Sequence, residues 1–370
     1  MPGPLRAALT VEQLWQPAPG GSGTYVHELV RALDDLDDVD VVPVAARGHT
    51  SRSIGGRTMT VQAHRLPRTA LYEAWNRLRW PATPPSGGPV DVVHATTWAV
   101  PPRSAPLVVT VHDVAFLHEP DHFTARGNSY FRRALEVVRR EADAIVVPSQ
   151  ATADDCAAVG LDLARVHVVP HGVRVPRPSA EAVADLARRH GLERPYVLWC
   201  GTLEPRKNLP ALLDAFAAVA DRHPDLALAL AGPDGWGDAA EQVALRWGQL
   251  PADRVVRLGR LSHDDLHAAY AGARAFCFPS LREGFGMPVL EAMAHGVPVV
   301  TSAGTPMVEF TQGAGLLVDP TDVDALADAL DQAVGVRHDE LAGAAAARAA
   351  DRSWARAAAL TADVYRQVAR

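Results

Sequence analysis

Two glutamates with seven residues between them bracket a glycine loop, and their setting carries the most chemistry in this sequence. The stretch reads Ser280-Leu-Arg-Glu-Gly-Phe-Gly-Met-Pro-Val-Leu-Glu-Ala-Met-Ala-His-Gly-Val-Pro-Val-Val-Thr-Ser302. An apolar run, Ala275-Phe-Cys-Phe-Pro279, leads in as a strand. Pro288 suits the first turn of a helix, where its missing N–H would be unpaired anyway. Gly296 stops that helix, expected from about Pro288 to Ala294, and Val297-Pro-Val-Val300 begins another strand. A strand–loop–helix unit of this kind turns the backbone N–H groups of Gly284, Phe285 and Gly286 in one direction, together with the positive end of the helix. That is a seat for a phosphate or a polar sugar. Glu283 stands just before the glycines, and Glu291, near the end of the first turn, can reach past the loop to a second part of one ligand. Taken singly, each has a plainer use, Glu283 as a cap and Glu291 as a solvated helix residue.

The basic residues narrow the chemistry further. Of 36 Lys plus Arg residues only Lys207 is a lysine, and it follows Arg206 in the loop Gly201-Thr-Leu-Glu-Pro-Arg-Lys-Asn208. A phosphate loop of the Gly-Lys-Ser/Thr type is therefore excluded, and any Schiff-base lysine would have to be Lys207. His112-Asp113 follows an apolar strand, at the carboxyl end where α/β proteins bind ligands, although a lone histidine there can equally be structural. Gly20-Gly-Ser-Gly23 lies between the first strand and first helix, where phosphate binding is common. It is not G-x-G-x-x-G, and no acid ends the next strand, so a dinucleotide is weakly supported. Thr24 stands where the last glycine of a Gly-x-Ser-x-Gly nucleophile elbow belongs, which removes that reading. A plain turn with glycines is the simpler alternative.

These groups need scaffolding, and 370 residues allow two domains of ordinary size. A hydrophobic share of 48% supports substantial cores, and a net charge of −7 argues against a general nucleic-acid binder. Cys156, Cys200 and Cys277 lack metal-ligand spacing and read as buried thiols in a reducing cytoplasm. The N-terminus lacks the apolar core of a signal peptide, and no run reaches the ~18 apolar residues of a membrane span. The expected location is the cytoplasm, with peripheral contact at the inner membrane face left open.

Along the first half, strands are expected at Leu5–Val11, Val39–Val44, Val90–His94, Leu107–Val111, Ala144–Pro148 and Val166–Pro170. Helices are expected from about Thr24 to Leu33, from about Arg126 to Glu141, and from Ser149. Residues 47–90 are rich in Arg, Pro and Gly; their amphipathic piece Leu71–Trp80 reads as a half-buried surface helix rather than an acceptor or membrane contact. Pro176-Arg-Pro-Ser179 reads as a linker. The second half alternates again: strands Tyr196–Cys200, Leu226–Ala231 and Val255–Leu258, with helices Leu209–Arg222, Ala239–Gln249 and Asp264–Ala271. The last of these is capped by Ser262 with Asp265 three residues on. A Gly232–Trp236 turn, helices Val323–Val334 and Leu341–Ala350, and a final helix Trp354–Arg370 complete the series.

Glu, seven residues, Glu around Gly-Phe-Gly-x-Pro, together with Gly201–Asn208, Gly232-Pro233 and Leu258-Gly259, resembles the signature of retaining glycosyltransferases of family 4. The resemblance implies the GT-B fold: two Rossmann-like doubly wound domains facing a central cleft. Residues 1–175 would be the acceptor-binding domain and 176–353 the nucleotide-sugar-binding domain, with helix 354–370 packing back on the first. It implies transfer of a hexose, mannose or another, from a GDP- or UDP-linked donor to a glycan, lipid or natural-product acceptor. The expected attack is front-face, with retention, no covalent intermediate, no metal and no cofactor.

Stabilising the departing diphosphate is the main physical demand, and Arg206 and Lys207 are the candidates. Many members carry a basic residue right after the first loop glycine; here it is Thr202, so Arg206 does that work or the phosphate grip is weaker. By the same resemblance Glu283 would hold sugar hydroxyls and Glu291 the ribose diol. Gly284, Phe285 and Gly286 would present N–H groups, and Leu258 to Leu261 would line the base pocket. Gly21 and Gly23 would approach donor phosphates and acceptor, and His112 would touch the transferred sugar. Two alternatives stay open: a sugar-nucleotide epimerase or phosphorylase of the same architecture, and a silent sugar-nucleotide-binding module. A phosphorylase would need pyridoxal phosphate on Lys207. A silent module should lack the leaving-group charge or a glutamate, and this chain lacks neither.

Overall fold

The computed structural model describes residues 3–17, 19–54, 57–86, 88–120, 123–233, 243, 245–248, 250, 251 and 253–370. Their contacts divide the chain into two units, Met1–Gly172 with Ser353–Arg370, and Val173–Arg352.

In the first unit the strands are β1 (Leu5–Thr10), β2 (Val39–Ala45), β3 (Ser51–Ile54), β4 (Arg57–Thr60), β5 (Gln62–Ala63), β6 (Val92–Ala95), β7 (Leu107–Thr110), β8 (Ala144–Val147) and β9 (Val166–Val168). Seven of them form one sheet in the order β5-β2-β1-β6-β7-β8-β9, while β3 and β4 pair antiparallel as a separate hairpin. The neighbours in the sheet are parallel. Parallel neighbours cannot be joined by tight turns. The helices Gly20–Asp34, Arg68–Leu78, Ala125–Glu141 and Gln150–Ala158 carry the crossovers. They cover the sheet, so β6, β7 and β8 are buried along their length and read as continuous apolar runs. The core joins Val93, Val109 and Ile145 to Val138 and Phe116.

The helix Trp354–Val368 also belongs to this unit and packs on Gly20–Asp34. A buried polar chain fastens it. Tyr365 OH lies 2.6 Å from His94 Nδ1, His94 Nε2 lies 2.7 Å from Thr110 Oγ1, and Thr110 Oγ1 lies 2.8 Å from Tyr25 OH. Complete burial pushes His94 down to about 3, so the ring is neutral and exchanges one hydrogen with each neighbour.

The second unit contains β10 (Tyr196–Cys200), β11 (Ala227–Ala231), β12 (Val255–Gly259), β13 (Ala275–Phe278), β14 (Val299–Ser302) and β15 (Leu316–Val318). They form a parallel sheet in the order β12-β11-β10-β13-β14-β15. The chain builds outward from β10 on one side, then jumps to β13 on the other. This reversal opens a crevice beyond the carboxyl ends of β10 and β13, the place where doubly wound sheets bind ligands. Gly201, Gly232 and Gly259 stand at the ends of the three strands on one side, and the double-glutamate loop follows β13 on the other.

Both units are therefore doubly wound α/β structures, as expected from the sequence. Additional to the expected elements are the β3–β4 hairpin, strand β5, the short helices Ala115–His118 and Val308–Thr311, the helix Ala180–His190 capped by Ser179, and strand β15. Most of the expected helix around 239–249 and most of the 232–236 turn lie outside the described residues. Among those described, no helix is long and apolar enough to cross a membrane.

Candidate functional site

The loops that follow β10 and β13 are bonded to each other. After β10 the chain makes a 3-10 turn over Pro205–Lys207, and Asn208 (φ 53°) then starts the helix Leu209–Ala220. The Arg206 carbonyl accepts from the Leu281 N–H at 2.8 Å, with the Ser280 hydroxyl 3.0 Å away. This backbone link places both basic side chains against Glu283. Lys207 Nζ donates to Glu283 Oε1 at 2.6 Å, Arg206 Nη1 to the same oxygen at 3.0 Å, and the Ser280 hydroxyl reaches it at 2.7 Å. The other oxygen, Oε2, receives none of these three donors.

Lys207 is buried, its ammonium lying 4.7 Å from the centre of the Phe278 ring. Arg206 is oriented from behind, its Nε donating to Glu204 Oε2 at 2.9 Å. Two cations and two carboxylates thus sum to zero charge. Burial alone would raise the Glu283 carboxyl, but the adjacent Lys207 and Arg206 outweigh it and hold it below its ordinary value. Glu283 is ionised at neutral pH.

Glu291 is placed by the helix Met287–Ala294. Its Oε2 accepts from Tyr270 OH at 3.2 Å, and burial raises its carboxyl to about 7, with that one hydrogen bond opposing the rise. The loop before this helix is held by its side chains. Phe285 is buried with its ring 5.0 Å from that of Phe310, so its side chain is committed to the core. Gly286 caps the helix at φ 97°, and a Cβ there would fall 2.4 Å from Met307 Cγ; both backbone and space demand glycine. Leu258 is a core side chain of β12, 6% exposed, which leaves half-buried Leu261 as the leucine a base could touch.

In the first unit, His112 follows β7. Its Nε2 lies 3.0 Å from the Thr96 carbonyl, which can only accept, so Nε2 carries the hydrogen and Nδ1 is a bare acceptor. Burial lowers its basicity, opposed by the Thr96 carbonyl and Asp113, so the ring is neutral. Tyr25 packs edge-on against it at 4.8 Å.

Gly20–Gly23 departs from the expected loop. These residues form the first turn of the helix Gly20–Asp34. Gly23 is buried and spends its N–H on the Pro19 carbonyl at 3.0 Å, so it has no donor for a phosphate. A Cβ there would meet that of Pro19 at 2.3 Å, and the glycine is needed for that contact. Gly21, exposed and ahead of the first helical bond, keeps its place as a candidate donor.

The structure thus brings Arg206, Lys207, Glu283, Gly284–Gly286 and Glu291 to one end of the second sheet. Sequence reasoning does not reach Glu204, Ser280 and Tyr270. Ser280 stands three residues before Glu283 and Glu204 two before Arg206, so spacing could have suggested both. Tyr270 meets Glu291 from 21 residues away on another helix, and no local pattern signals that contact.

Comparison with known proteins gives the family and the fold. Residues 184–349 match the model of glycosyl transferases group 1, and residues 19–177 that of Glycosyltransferase Family 4. The O-antigen chain mannosyltransferase B of Escherichia coli is 31% identical over 243 residues, which cover 64% of this chain and 63% of that protein. The D-inositol 3-phosphate glycosyltransferase of Salinispora arenicola is 30% identical across 98% of this chain and 92% of its own length. Among solved structures, Anabaena Alr3699/HepE, crystallised in complex with UDP and glucose, superposes with a TM-score of 0.75 at 19% identity, covering 98% of this chain and all of that one. That likeness and the two parallel sheets identify the GT-B fold. On these matches, the chain belongs to glycosyltransferase family 4.

Proposed function

We propose that the protein transfers a hexose, with mannose the first candidate, from a GDP- or UDP-linked donor to a carbohydrate, lipid or small-molecule acceptor, with retention at the anomeric carbon. The observation that best supports this reading is the pair of cations on Glu283 at the switch point of the second sheet. A departing diphosphate needs fixed positive charge, and Arg206 and Lys207 supply it from a rigid turn. Glu283, ionised and anchored through one oxygen, has the other with which to accept sugar hydroxyls. Glu291 suits a ribose diol, since a carboxylate accepts from two neighbouring hydroxyls.

The glycine loop would add backbone donors, Leu261 an apolar contact for the base, and His112 Nδ1 an acceptor for a sugar hydroxyl. In the step itself, the bond between the anomeric carbon and the phosphate oxygen breaks as the acceptor oxygen bonds on the same face. The acceptor proton passes to the leaving phosphate, and no protein nucleophile is needed. Mannose is favoured by the mannosyltransferase among the relatives, and the UDP-bound structural neighbour keeps UDP-linked donors in the panel.

The test is to incubate the protein with a panel of nucleotide sugars and acceptors and measure released nucleoside diphosphate. Release from one GDP- or UDP-sugar, with an α-configured product from an α-configured donor, is expected. An inverted product would overturn the mechanism, and no release across the panel would overturn the function.

A further inference from the structure

The buried phenol beneath Glu291 has no part in the scheme above. Tyr270 lies on the helix His263–Gly272, is 0% exposed, and directs its OH at Glu291 Oε2 from 3.2 Å. Its ring is fixed on two sides, stacked on His295 at 5.9 Å and tilted against Phe276 at 5.5 Å. Cys200, at the end of β10, interacts electrostatically with the phenol. Cys200 is raised to about 12 by burial, with the Glu291 charge adding to the rise, so it is a neutral thiol. The phenol hydrogen is therefore directed at Glu291.

We infer that Tyr270 is a positioning residue for donor binding: its hydroxyl fixes the Glu291 carboxylate and favours its charged form, the form that can accept from both ribose hydroxyls. This inference rests on the reading of Glu291 as the ribose ligand. The acid is poised for such control, since burial leaves it near neutrality with one protein donor on its side chain. Four of the titratable groups around it do not change charge in that range. Cys200 stays a thiol, and Tyr270 is raised well above its ordinary value by burial. Burial lowers His295, whose N–H bonds the Glu291 carbonyl, to about 4. His267, 2.9 Å from His295, is lowered to about 3 by burial and by neighbouring charges. The exposed His263 ring packs on His267, and Lys207 touches the site through its charge on Cys200.

A protonated Glu291 must lose its proton before accepting from the diol, so donor KM should rise as pH falls through about 7. Removing the phenol hydroxyl removes a donor to the carboxylate and moves that rise to higher pH. For a hydrogen bond to a charged group, a movement of about one pH unit is expected, or roughly fivefold in donor KM at pH 7.

The experiment measures donor KM and kcat from pH 5.5 to 9.5 for the wild type, Tyr270→Phe and Glu291→Gln, with the thermal midpoint of each. For Tyr270→Phe, we expect an unchanged kcat at saturating donor, a KM profile displaced to higher pH, and convergence with wild type above pH 9. Glu291→Gln should raise KM and flatten the profile. A Tyr270→Phe profile that overlays the wild type, or a loss confined to the thermal midpoint, overturns the positioning role. An unchanged KM in Glu291→Gln overturns the ribose reading itself, and so separates the two failures.

Discussion

Glu283 receives three donors on a single oxygen, two of them cationic, whereas Glu291, eight residues later, receives one phenol hydrogen bond. Both carboxyls are removed from water, and in both burial is the largest influence on ionisation. They nevertheless go in opposite directions. Lys207 and Arg206 overcome the cost of burial at one end; at the other, a neutral hydroxyl only reduces it. Burial therefore does not decide the charge of an acid in this site; the sign of its neighbours does. One acid is a fixed anion built into a salt-bridged turn. The other is a group whose charge depends on the solution.

The largest test of this contrast is at the fixed end. Lys207→Ala and Glu283→Ala should each lower turnover by about 100-fold or more, as expected when an interaction with the leaving group or reacting sugar is lost. Initial rates at saturating donor are the measurement, and near-wild-type turnover in either variant would break the assignment of this end. Next comes Glu291→Ala, expected to raise donor KM about tenfold while leaving kcat within a factor of about three. A variant whose kcat falls and KM holds would erase the distinction between the two acids.

Stability gives a third, smaller effect of opposite sign at the two ends. A carboxyl raised when folded costs stability above its unfolded value, so Glu291→Gln should melt a few degrees higher than wild type at pH 8, the difference closing by pH 4. Glu283 is lowered when folded. Its contribution is present above the unfolded value and lost as pH falls through the folded one, so Glu283→Gln should melt lower at pH 8. The same sign for both variants at pH 8 would contradict the contrast. The smallest expected effect is that of EDTA, which should leave activity unchanged if the paired cations serve the leaving group alone. Complete loss that returns with a divalent ion would overturn that reading.

Much of this site could be read from the sequence because its parts are local. Pro288 and Gly296 mark the ends of a helix, and a loop of fixed spacing carries both acids. The alternation of apolar runs and amphipathic stretches gave the doubly wound fold. What the sequence does not show is mostly the result of contacts between distant segments. Arg206 and Lys207 read as charges apart from the double-glutamate loop, yet Lys207 lies 2.6 Å from Glu283 because the Arg206 carbonyl ties the two loops together. Gly20–Gly23 reads as a loop because glycine weakens helices, but packing on Pro19 and the helix that follows outweigh that propensity. The helix after Pro176–Ser179 was hidden by its own cap, since Ser179 looks like part of a linker and in fact accepts from the Ala182 N–H at 3.2 Å.

The helix Trp354–Val368 has a consequence for how the chain is made. It completes the first unit, through Tyr365 on His94 and its packing on Gly20–Asp34, but it is encoded after the whole of the second. On the ribosome, residues 3–172 emerge first and wait for their last helix while 180 further residues are synthesised. Until then the apolar face of Gly20–Asp34 and the imidazole of His94 lack the partner that covers them. The second unit is contiguous and can close as soon as it emerges, so the half translated first is the half finished last.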